Sequence, residues 1–249
     1  MRTLLQDVRY GFRMLVKRPG FTAVAVMALA LGIGANTAIF SVVNAVLLRP
    51  LPFAEPGRVM LVWLKGVEAA GGDRVPLSVA DFLDWRAQNQ SFEKVAAFSA
   101  GDFNYTGGPT PERVRGAVAT ADFFDILGAR PALGRTFLPE EDSPGANPAV
   151  VVGHAFWQKH LGSDPQAVGR AVTLDNRAYT VIGVMPAGFG FPQQDVELWA
   201  AYQVRPPSRR GPYFLTGLAR LKPGVTAEQA RAALNATPDP ERPERTPQG

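Results

Sequence analysis

The chain has 249 residues, of which 46% are hydrophobic, with 26 Lys and Arg against 22 Asp and Glu and no cysteine. The absence of cysteine excludes disulfide bonds, thiolate metal sites and a cysteine nucleophile. The formal charge of +4 equals the excess of basic residues within residues 1–20, so the rest of the chain is neutral overall. The high pI of about 9.6 therefore indicates membrane topology and not nucleic-acid binding.

Residues 1–20 predict a basic amphipathic helix. Apolar and basic side chains each recur at helical spacing, the apolar set being Leu4, Val8, Phe12 and Leu15 and the basic set Arg9, Arg13 and Lys17. Such a helix lies along the inner membrane surface with its cations near anionic headgroups. An ordinary surface helix of a soluble domain would show the same pattern, so the neighbouring segment decides between the two.

Residues 21–48 contain no charged side chain and predict a transmembrane helix. About 20 helical residues cross a bilayer core of ~30 Å. A cleavable signal sequence, which Ala28-Leu29-Ala30 imitates, has an apolar region of only ~7 to 15 residues. A buried helix of a soluble protein rarely stays uncharged on every face for so long. The basic flank places residues 1–20 in the cytoplasm and the chain from Arg49 onward outside.

Small and polar residues line one stripe of this predicted span. The stripe consists of Ala30, Gly34, Thr37, Ser41 and Asn44. Such residues let helices approach closely and form hydrogen bonds across a helix pair, so the stripe anticipates partner helices. Another copy or another polypeptide would supply them, or the chain is a fragment.

The outer segment, residues 49–236, predicts strands at 59–64, 113–119, 149–152, 172–174, 179–181, 196–199 and 214–221. The turn Asp175-Asn176 joins two of them in a hairpin. Four helices are predicted: one capped by Ser78 and Asp81 that carries Phe82 and Trp85, one capped by Thr120 and stopped by Gly128, one carrying Phe156, Trp157 and Leu161, and one capped by Thr226 and Gln229. Because these elements do not alternate as regular βαβ units, the fold class is α+β. Four prolines within residues 237–249 predict a disordered tail.

The sequence offers no convincing nucleotide, metal or nucleophile site. It lacks the G-x-x-x-x-G-K-[ST] loop of an ATPase, and Gly32-Ile33-Gly34 lies inside the apolar span, where close helix packing explains it. His154 and His160 are six residues apart, which places them on different helix faces. We therefore assign no catalytic, cofactor-binding or metal-binding residue, expect no cofactor, and do not expect an enzyme.

Three further groups were weighed against ordinary structural roles. Glu140-Glu141-Asp142 resembles part of a calcium site, but the flanking prolines and glycine favour a solvated surface turn. Ser41 and Ser78 lack a recognisable nucleophile motif, although folding can assemble a triad that spacing does not reveal. The four tryptophans, Trp63, Trp85, Trp157 and Trp199, are expected to pack in the core, with Trp85 a candidate exception because Asp84 and Arg86 flank it.

Several motifs together resemble one family. The opening DVRYGFRMLVKRPGFTAVAVMALALGIGANTAIFSVVNAVLLRPLPF is similar to the N-terminus of MacB/FtsX-like ABC transporter permeases, especially the duplicated branch that carries no ATPase. The resemblance continues through SVADFLDWR, ATADFFDILGARPALGRTF, VVVGHAFWQKHLG, AVGRAVTLDNRAYTVIGVMP and LARLKPGVTAEQARAAL, which together cover about residues 6–235.

The resemblance implies one N-terminal transmembrane helix and a periplasmic core domain in the bacterial inner membrane, the core domain having a porter-like part with a mainly β insertion. It also implies a cytoplasmic ABC ATPase and further permease helices or a second permease copy as partners, alongside the lipid bilayer. After Ala236 the sequence departs from the family pattern, which is expected of a truncated permease. The alternatives are a single-pass envelope protein that binds a ligand or protein partner, and an anchored extracytoplasmic enzyme.

Overall fold

The computed structural model describes residues 17, 19–43, 55–65, 74–108, 110–208 and 211–236. The chain divides into two compact units, residues 1–51 and 52–249. Of the predicted leader helix, residues 1–20, the structure describes only Lys17, Pro19 and Gly20. The predicted disordered tail, residues 237–249, lies wholly outside the described residues. Both therefore remain predictions.

The first unit contains helix α1, Pro19–Val43. The large apolar side chains that the structure describes on this helix are exposed, Phe21 and Leu31 by more than 70%. The Thr37 hydroxyl donates to the Ile33 carbonyl at 2.7 Å, which satisfies it within the helix. The other polar members of the predicted stripe, the Ser41 side chain and Asn44, lie outside what the structure describes. Within its described part, the chain has no helix of sufficient length and apolarity to cross a membrane.

The second unit is built on a sheet with helices on both faces. Its strands are β1 Val59–Val62, β2 Leu64–Lys65, β3 Arg74–Val75, β4 Phe92–Tyr105, β5 Glu112–Ala119, β6 Leu133–Gly134, β7 Ala149–Val152, β8 Ala171–Leu174, β9 Arg177–Val184, β10 Leu198–Ala201 and β11 Thr216–Leu221. Its helices are α2 Val79–Gln88, α3 Phe123–Leu127, α4 His154–Leu161 and α5 Ala227–Ala236. The large sheet has the order β1-β11-β4-β5-β10-β7-β9-β6, with β8 beside β9, and β2 and β3 form a separate pair.

Strand β4 is the longest strand and joins the two ends of the sheet. Its first half pairs with β11, its second half pairs with β5, and Tyr105 at its end pairs with Leu174 of β8. Fourteen residues at ~3.3 Å each extend about 45 Å. Sequence analysis missed this strand, because FEKVAAFSAGDFNY alternates poorly and contains a glycine.

The two faces of the sheet carry different helices, because successive side chains of a strand point to opposite faces. Ala96 and Phe98 of β4 pack with α3 in one hydrophobic cluster. Val95 and Ala97 point the other way and pack with α2 and α5. Toward the β9 end of the sheet, a third cluster contains Phe103 and residues of α4. Each cluster is therefore a layer of helix on sheet, and the predicted α+β class is confirmed.

Most predicted helix boundaries are confirmed. Ser78 and Asp81 form the predicted capping box of α2, with the Asp81 N–H donating to the Ser78 hydroxyl at 3.2 Å and the Ser78 N–H donating to the carboxylate at 2.9 Å. Thr226 and Gln229 make the equivalent pair of bonds at α5. Gly128 ends α3 in the left-handed conformation, with φ of 64°.

The predicted role of Thr120 is wrong. Asp122 stands at the N-cap of α3, and its side chain makes no capping bond. The Thr120 hydroxyl instead accepts from the backbone N–H of Ala97 at 3.0 Å, while the Thr120 N–H donates to the Ala97 carbonyl at 3.0 Å. Thr120 thus extends the β4–β5 ladder by one position.

The predicted strands are present with altered ends. The strand expected at 59–64 is interrupted at Trp63, and the strand expected at 196–199 begins two residues later, at Leu198. The hairpin of β8 and β9 turns at Asp175 and Asn176, with φ of 47° and 63°, as a type I′ turn requires at both central residues.

The C-cap of α4 allows a test of local backbone conformation. Gly162 has a φ of 66°, and a Cβ placed there meets no atom within 4 Å. Only the left-handed backbone conformation therefore disfavours a residue with a side chain at this position. Gly162→Ala should lower the free energy of unfolding by about 1 kcal/mol. Gly101→Ala, in an equally open position of β4 without positive φ, is the matched control. Equal denaturation midpoints for the two variants would contradict this account of the helix end.

Candidate functional site

The two histidines lie at opposite ends of α4 and do not converge. His154 begins the helix and packs against Trp157, with ring centroids 5.4 Å apart. His160 lies six residues later, about 1.7 helical turns, and packs between the rings of Tyr105 and Phe156, with centroids 4.7 and 4.6 Å away. Among the described residues, no three His, Cys, Asp or Glu side chains could hold a metal ion together.

His160 has the environment of a neutral core histidine. Its side chain is 9% exposed, and Nε2 lies 3.7 Å from the nearer oxygen of Glu112, too far for a hydrogen bond. The Glu112 carboxylate instead accepts a hydrogen bond from Lys159. Burial lowers the pKa of His160, although the nearby Glu112 charge opposes this effect. The imidazole therefore contributes packing to this cluster.

The acidic triplet 140–142 is not the solvated turn that the sequence predicted. Glu141 is only 8% exposed, and both of its oxygens accept from the Arg135 guanidinium, at 2.9 and 3.0 Å. One of these oxygens also accepts from the Leu138 N–H at 2.8 Å. The Glu141 carboxylate thus closes a short turn of 3₁₀ helix and forms a bidentate ion pair with Arg135. The residues that flank the triplet in the sequence do not indicate this ion pair.

Asp142 joins three separate parts of the fold. Its Oδ1 accepts from the backbone N–H of Ala121 at 2.8 Å, and its carbonyl accepts from the N–H of Val204 at 2.8 Å. Its Oδ2 lies 3.8 Å from Arg86 at the end of α2. Burial raises the pKa of Asp142 to about 6, against the hydrogen bond from Ala121 and the charge of Arg86, which lower it.

The remaining sequence candidates have structural roles. The Ser78 hydroxyl is fully used as a helix cap. Gly32 and Gly34 lie in the interior of α1 and not at a strand-to-helix turn, where a dinucleotide-binding glycine motif would stand. The Ser41 side chain is outside the described residues.

The tryptophans divide into two buried and two half-buried rings. Trp199 is fully buried, and its Nε1–H donates to the Phe191 carbonyl at 2.7 Å. Trp85 is 9% exposed and packs edge-on against Phe92, so it is a core residue and not an exception. Trp157 and Trp63 are half-buried. Core packing is thus confirmed for Trp85 and Trp199.

A small cavity lies beside the start of α4. Its volume is about 120 Å³, and its walls include His154, Phe189, Gln194 and Glu197. Ligand pockets generally reach ~300 Å³ or more. This cavity is therefore too small to hold a drug-sized ligand in the conformation described.

Charged side chains cover the exposed part of the β4–β5 hairpin. Asp102 lies 2.8 Å from Arg113 and 3.4 Å from Arg115, and Arg115 also lies 3.5 Å from Asp195. The alternation of residues 113–119 predicted a strand with an exposed face here. Asp102, which pairs with Arg113 and Arg115, belongs to β4, which the sequence did not predict. The arrangement can present charge to a protein partner.

Comparison with known proteins identifies the family of this domain. The family model described as MacB-like periplasmic core domain matches residues 22–237. The chain belongs to the MacB-like periplasmic core domain family. Its core is thus the periplasmic domain of a MacB/FtsX-like ABC transporter permease, a family of permease components and not of catalytic enzymes. No curated protein matches the chain.

Solved structures share the MacB-like fold at low sequence identity. The periplasmic region of MacB from Actinobacillus actinomycetemcomitans is 16% identical, with a TM-score of 0.56, over 74% of this chain and 82% of that one. A domain assigned to a permease protein from Porphyromonas gingivalis is 16% identical, with a TM-score of 0.53, over 74% and 83%. The extracellular domain of the noncanonic ABC-type transporter YknZ from Gram-positive bacteria is 15% identical, with a TM-score of 0.52, over 70% and 88%.

The environment of Asp142 predicts a specific dependence of stability on pH. Its pKa is about 6 in the folded MacB-like domain and about 3.9 in an unfolded chain, so the folded state binds the proton more tightly. The carboxyl group therefore stabilises the fold below pH ~4 and loses that contribution as pH rises through about 6. The side chain of Asp142→Asn does not titrate. The free energy of unfolding of the native chain minus that of this variant should therefore decrease as the pH rises from 4 to 7.

Asp142→Ala is the matched control for this experiment. Asp142→Ala has no acceptor for the Ala121 N–H and no titratable group, so its free energy of unfolding should lie about 1–3 kcal/mol below that of Asp142→Asn at every pH. Denaturation of the three chains in detergent at pH 4, 5, 6 and 7 measures both effects. A difference between native chain and Asp142→Asn that stays constant over this range would contradict the raised pKa.

Proposed function

We propose that this chain is the N-terminal part of a permease subunit in an ABC-type export or mechanotransmission system. Residues 21–48 anchor it in the bacterial inner membrane, residues 1–20 remain in the cytoplasm, and the core domain from residue 49 lies in the periplasm. Its partners are a cytoplasmic ABC ATPase and further permease helices or a second permease copy.

The observation that carries this proposal is the extent of the family match. The match runs from residue 22, inside the apolar segment, to residue 237, just beyond α5. One polypeptide thus combines the apolar segment with the periplasmic core domain in the family's order. The proposed span rests on the sequence of residues 21–48, of which 44–48 lie outside the described part of the chain.

The physical character of the core domain supports a mechanical role. Its described ion pairs and capping bonds join residues within the domain. Each candidate catalytic residue that the structure describes has a role in capping or packing. ATP hydrolysis in a partner would supply the energy, and the leader and span would carry a displacement to the periplasmic sheet. The basic face of the leader would hold the subunit at the cytoplasmic surface.

The orientation follows from the positive charge of the leader and can be tested with a reporter. Alkaline phosphatase, fused after Ala236, should be active, because residues beyond Arg49 face the periplasm. Neutralising Arg9, Arg13 and Lys17 to Gln should lower this activity at equal expression. The control removes three exposed positive charges from the core domain, at Arg130, Lys222 and Arg231, and should leave the activity unchanged. A phosphatase fusion that is expressed at the same level but stays inactive would overturn the orientation.

Association with an ATPase distinguishes the permease from the alternative, a stand-alone envelope protein that binds a ligand or protein partner. The tagged full-length chain, solubilised from its native membrane in mild detergent, should co-purify with an ABC ATPase identified by mass spectrometry. In the control, an unrelated single-span anchor replaces residues 1–48, and the ATPase should be lost. Equal recovery with both chains, or no ATPase with either, would favour the stand-alone protein.

A further inference from the structure

Six strands of the large sheet form a closed ring. Strand β4 pairs with β5, β5 with β10, β10 with β7, β7 with β9 and β9 with β8, and β8 pairs again with β4. All six strands contribute side chains to the cluster that contains Phe103, and Phe156 and Leu161 of α4 belong to the same cluster. Because side chains from the whole ring meet there, the cluster lies on the inner face of the ring, and α4 packs against it.

The contact between β8 and β4 is the shortest in this ring. The two strands share one pair of residues, whereas each other neighbouring pair shares at least three. The Thr106 N–H donates to the Thr173 carbonyl at 3.1 Å, and the Asp175 N–H donates to the Asn104 carbonyl at 2.9 Å. We name this contact the seam; it consists of residues 104–106 and 173–175. Since few hydrogen bonds hold the seam, it is the part of the ring that opens at the lowest free energy.

His160 of α4 packs directly against the seam. Its ring centroid lies 4.7 Å from that of Tyr105, the seam residue that pairs with β8. Phe156 completes the group, with its centroid 4.6 Å from His160 and 5.2 Å from Tyr105. Tyr105 is only 4% exposed. A displacement of His160 would therefore remove a ring against which the seam packs.

The buried end of the His160 ring is poorly suited to carry a proton. Its Nε2 is buried and has no hydrogen-bond partner within the described part of the chain. The nearer oxygen of Glu112 on β5 lies 3.7 Å away, and the other oxygen of Glu112 accepts from Lys159. A buried charge without a hydrogen-bonded partner costs more free energy than a buried neutral group. An imidazolium would thus be more stable in water than in this position.

The charged groups around His160 come from three elements. Burial is the largest influence and lowers the pKa of His160, and Lys159 on α4 lowers it further. Glu112 on β5 and Glu197 before β10 raise the pKa, but they do not overcome the effect of burial. The Tyr105 phenol ring contacts the imidazole from β4.

We propose that His160 is a pH-sensitive switch that controls the seam. The neutral imidazole packs between Tyr105 and Phe156 and keeps the ring closed. When Nε2 binds a proton, the imidazolium moves out to water with the last turn of α4, and the hydrogen bonds of the seam open. This inference rests on the closed ring and its short contact, and it stands independently of the proposed transport function.

The direction of the switch follows from proton linkage. In the closed form the pKa of His160 lies below its ordinary value, whereas in the open form the hydrated ring has a pKa near 6.5. The open form therefore binds the proton more tightly. Closure is fully favourable above about pH 7 and weakens as the pH falls below about 6.5. The effect of His160 is thus opposite in sign to that of Asp142, whose pKa is raised.

Hydrogen exchange of the full-length chain in detergent at pH 7.5 and 5 tests the switch. Dividing the intrinsic rate at each pH by the observed rate gives the protection of the Thr106 and Asp175 amides. This protection should fall at pH 5 by up to about 30-fold, the limit reached when only the open form binds the proton. His160→Gln stays neutral and should show no such fall. His154→Gln removes the other histidine of α4 and should behave as the native chain.

A direct titration tests the proposal without a change at His160. The chain has two histidines, so His154→Gln with ¹³C-labelled histidine leaves one imidazole signal, which belongs to His160. This signal should titrate below pH 6.5. It should shift over the pH range in which the seam loses protection.

Three results would overturn the proposal. The first is an equal change in seam protection in the native chain and in His160→Gln, including no change in either. The second is a His160 signal that titrates at or above pH 6.5. The third is a loss of protection at pH 5 that extends equally to the amides of β11, because this would show global unfolding and not a local opening of the seam.

Discussion

The continuous backbone of β4 is the constraint on which the rest of the core domain depends. Its side chains enter all three hydrophobic clusters: Ala96 and Phe98 pack with α3, Val95 and Ala97 with α2 and α5, and Phe103 with α4. Because protein interiors are close-packed, a shift of this strand would disturb each of the helix layers. The two ends of the sheet are thus parts of one mechanical body.

Polar contacts link the helix layers to the sheet and to one another. Thr120 exchanges two hydrogen bonds with Ala97 of β4, and the Arg220 side chain, buried beneath α3, donates to the carbonyl of Ile126. Asp142 adds a link between the start of α3, the end of α2 and the segment before β11. In the function proposed above, a domain bonded in this way would pass on movement as one body.

Local signals in the sequence were sufficient where both partners of an interaction lie close together in the chain. The pairs Ser78 with Asp81 and Asp175 with Asn176 predicted their cap and their turn correctly. The class, α+β, followed from the lack of regular alternation, and the family followed from motifs spread along the chain. Thr120 was misassigned because its partner, Ala97, is 23 residues away. The acidic turn was misassigned because neither the ion pair of Glu141 with Arg135 nor the bonds of Asp142 with Ala121 and Val204 correspond to a recognisable sequence pattern.

Native-state hydrogen exchange of the full-length chain in detergent tests the central role of β4 most directly. If the strand unites the domain, the amides of Ala96, Ala97 and Phe103 should exchange with one common free energy, equal to that of global unfolding. That free energy should also apply to buried amides of β11 and β10. Exchange of Phe103 at a distinctly lower free energy than Ala96 and Ala97 would show that the two ends of the sheet open separately, and would contradict the account.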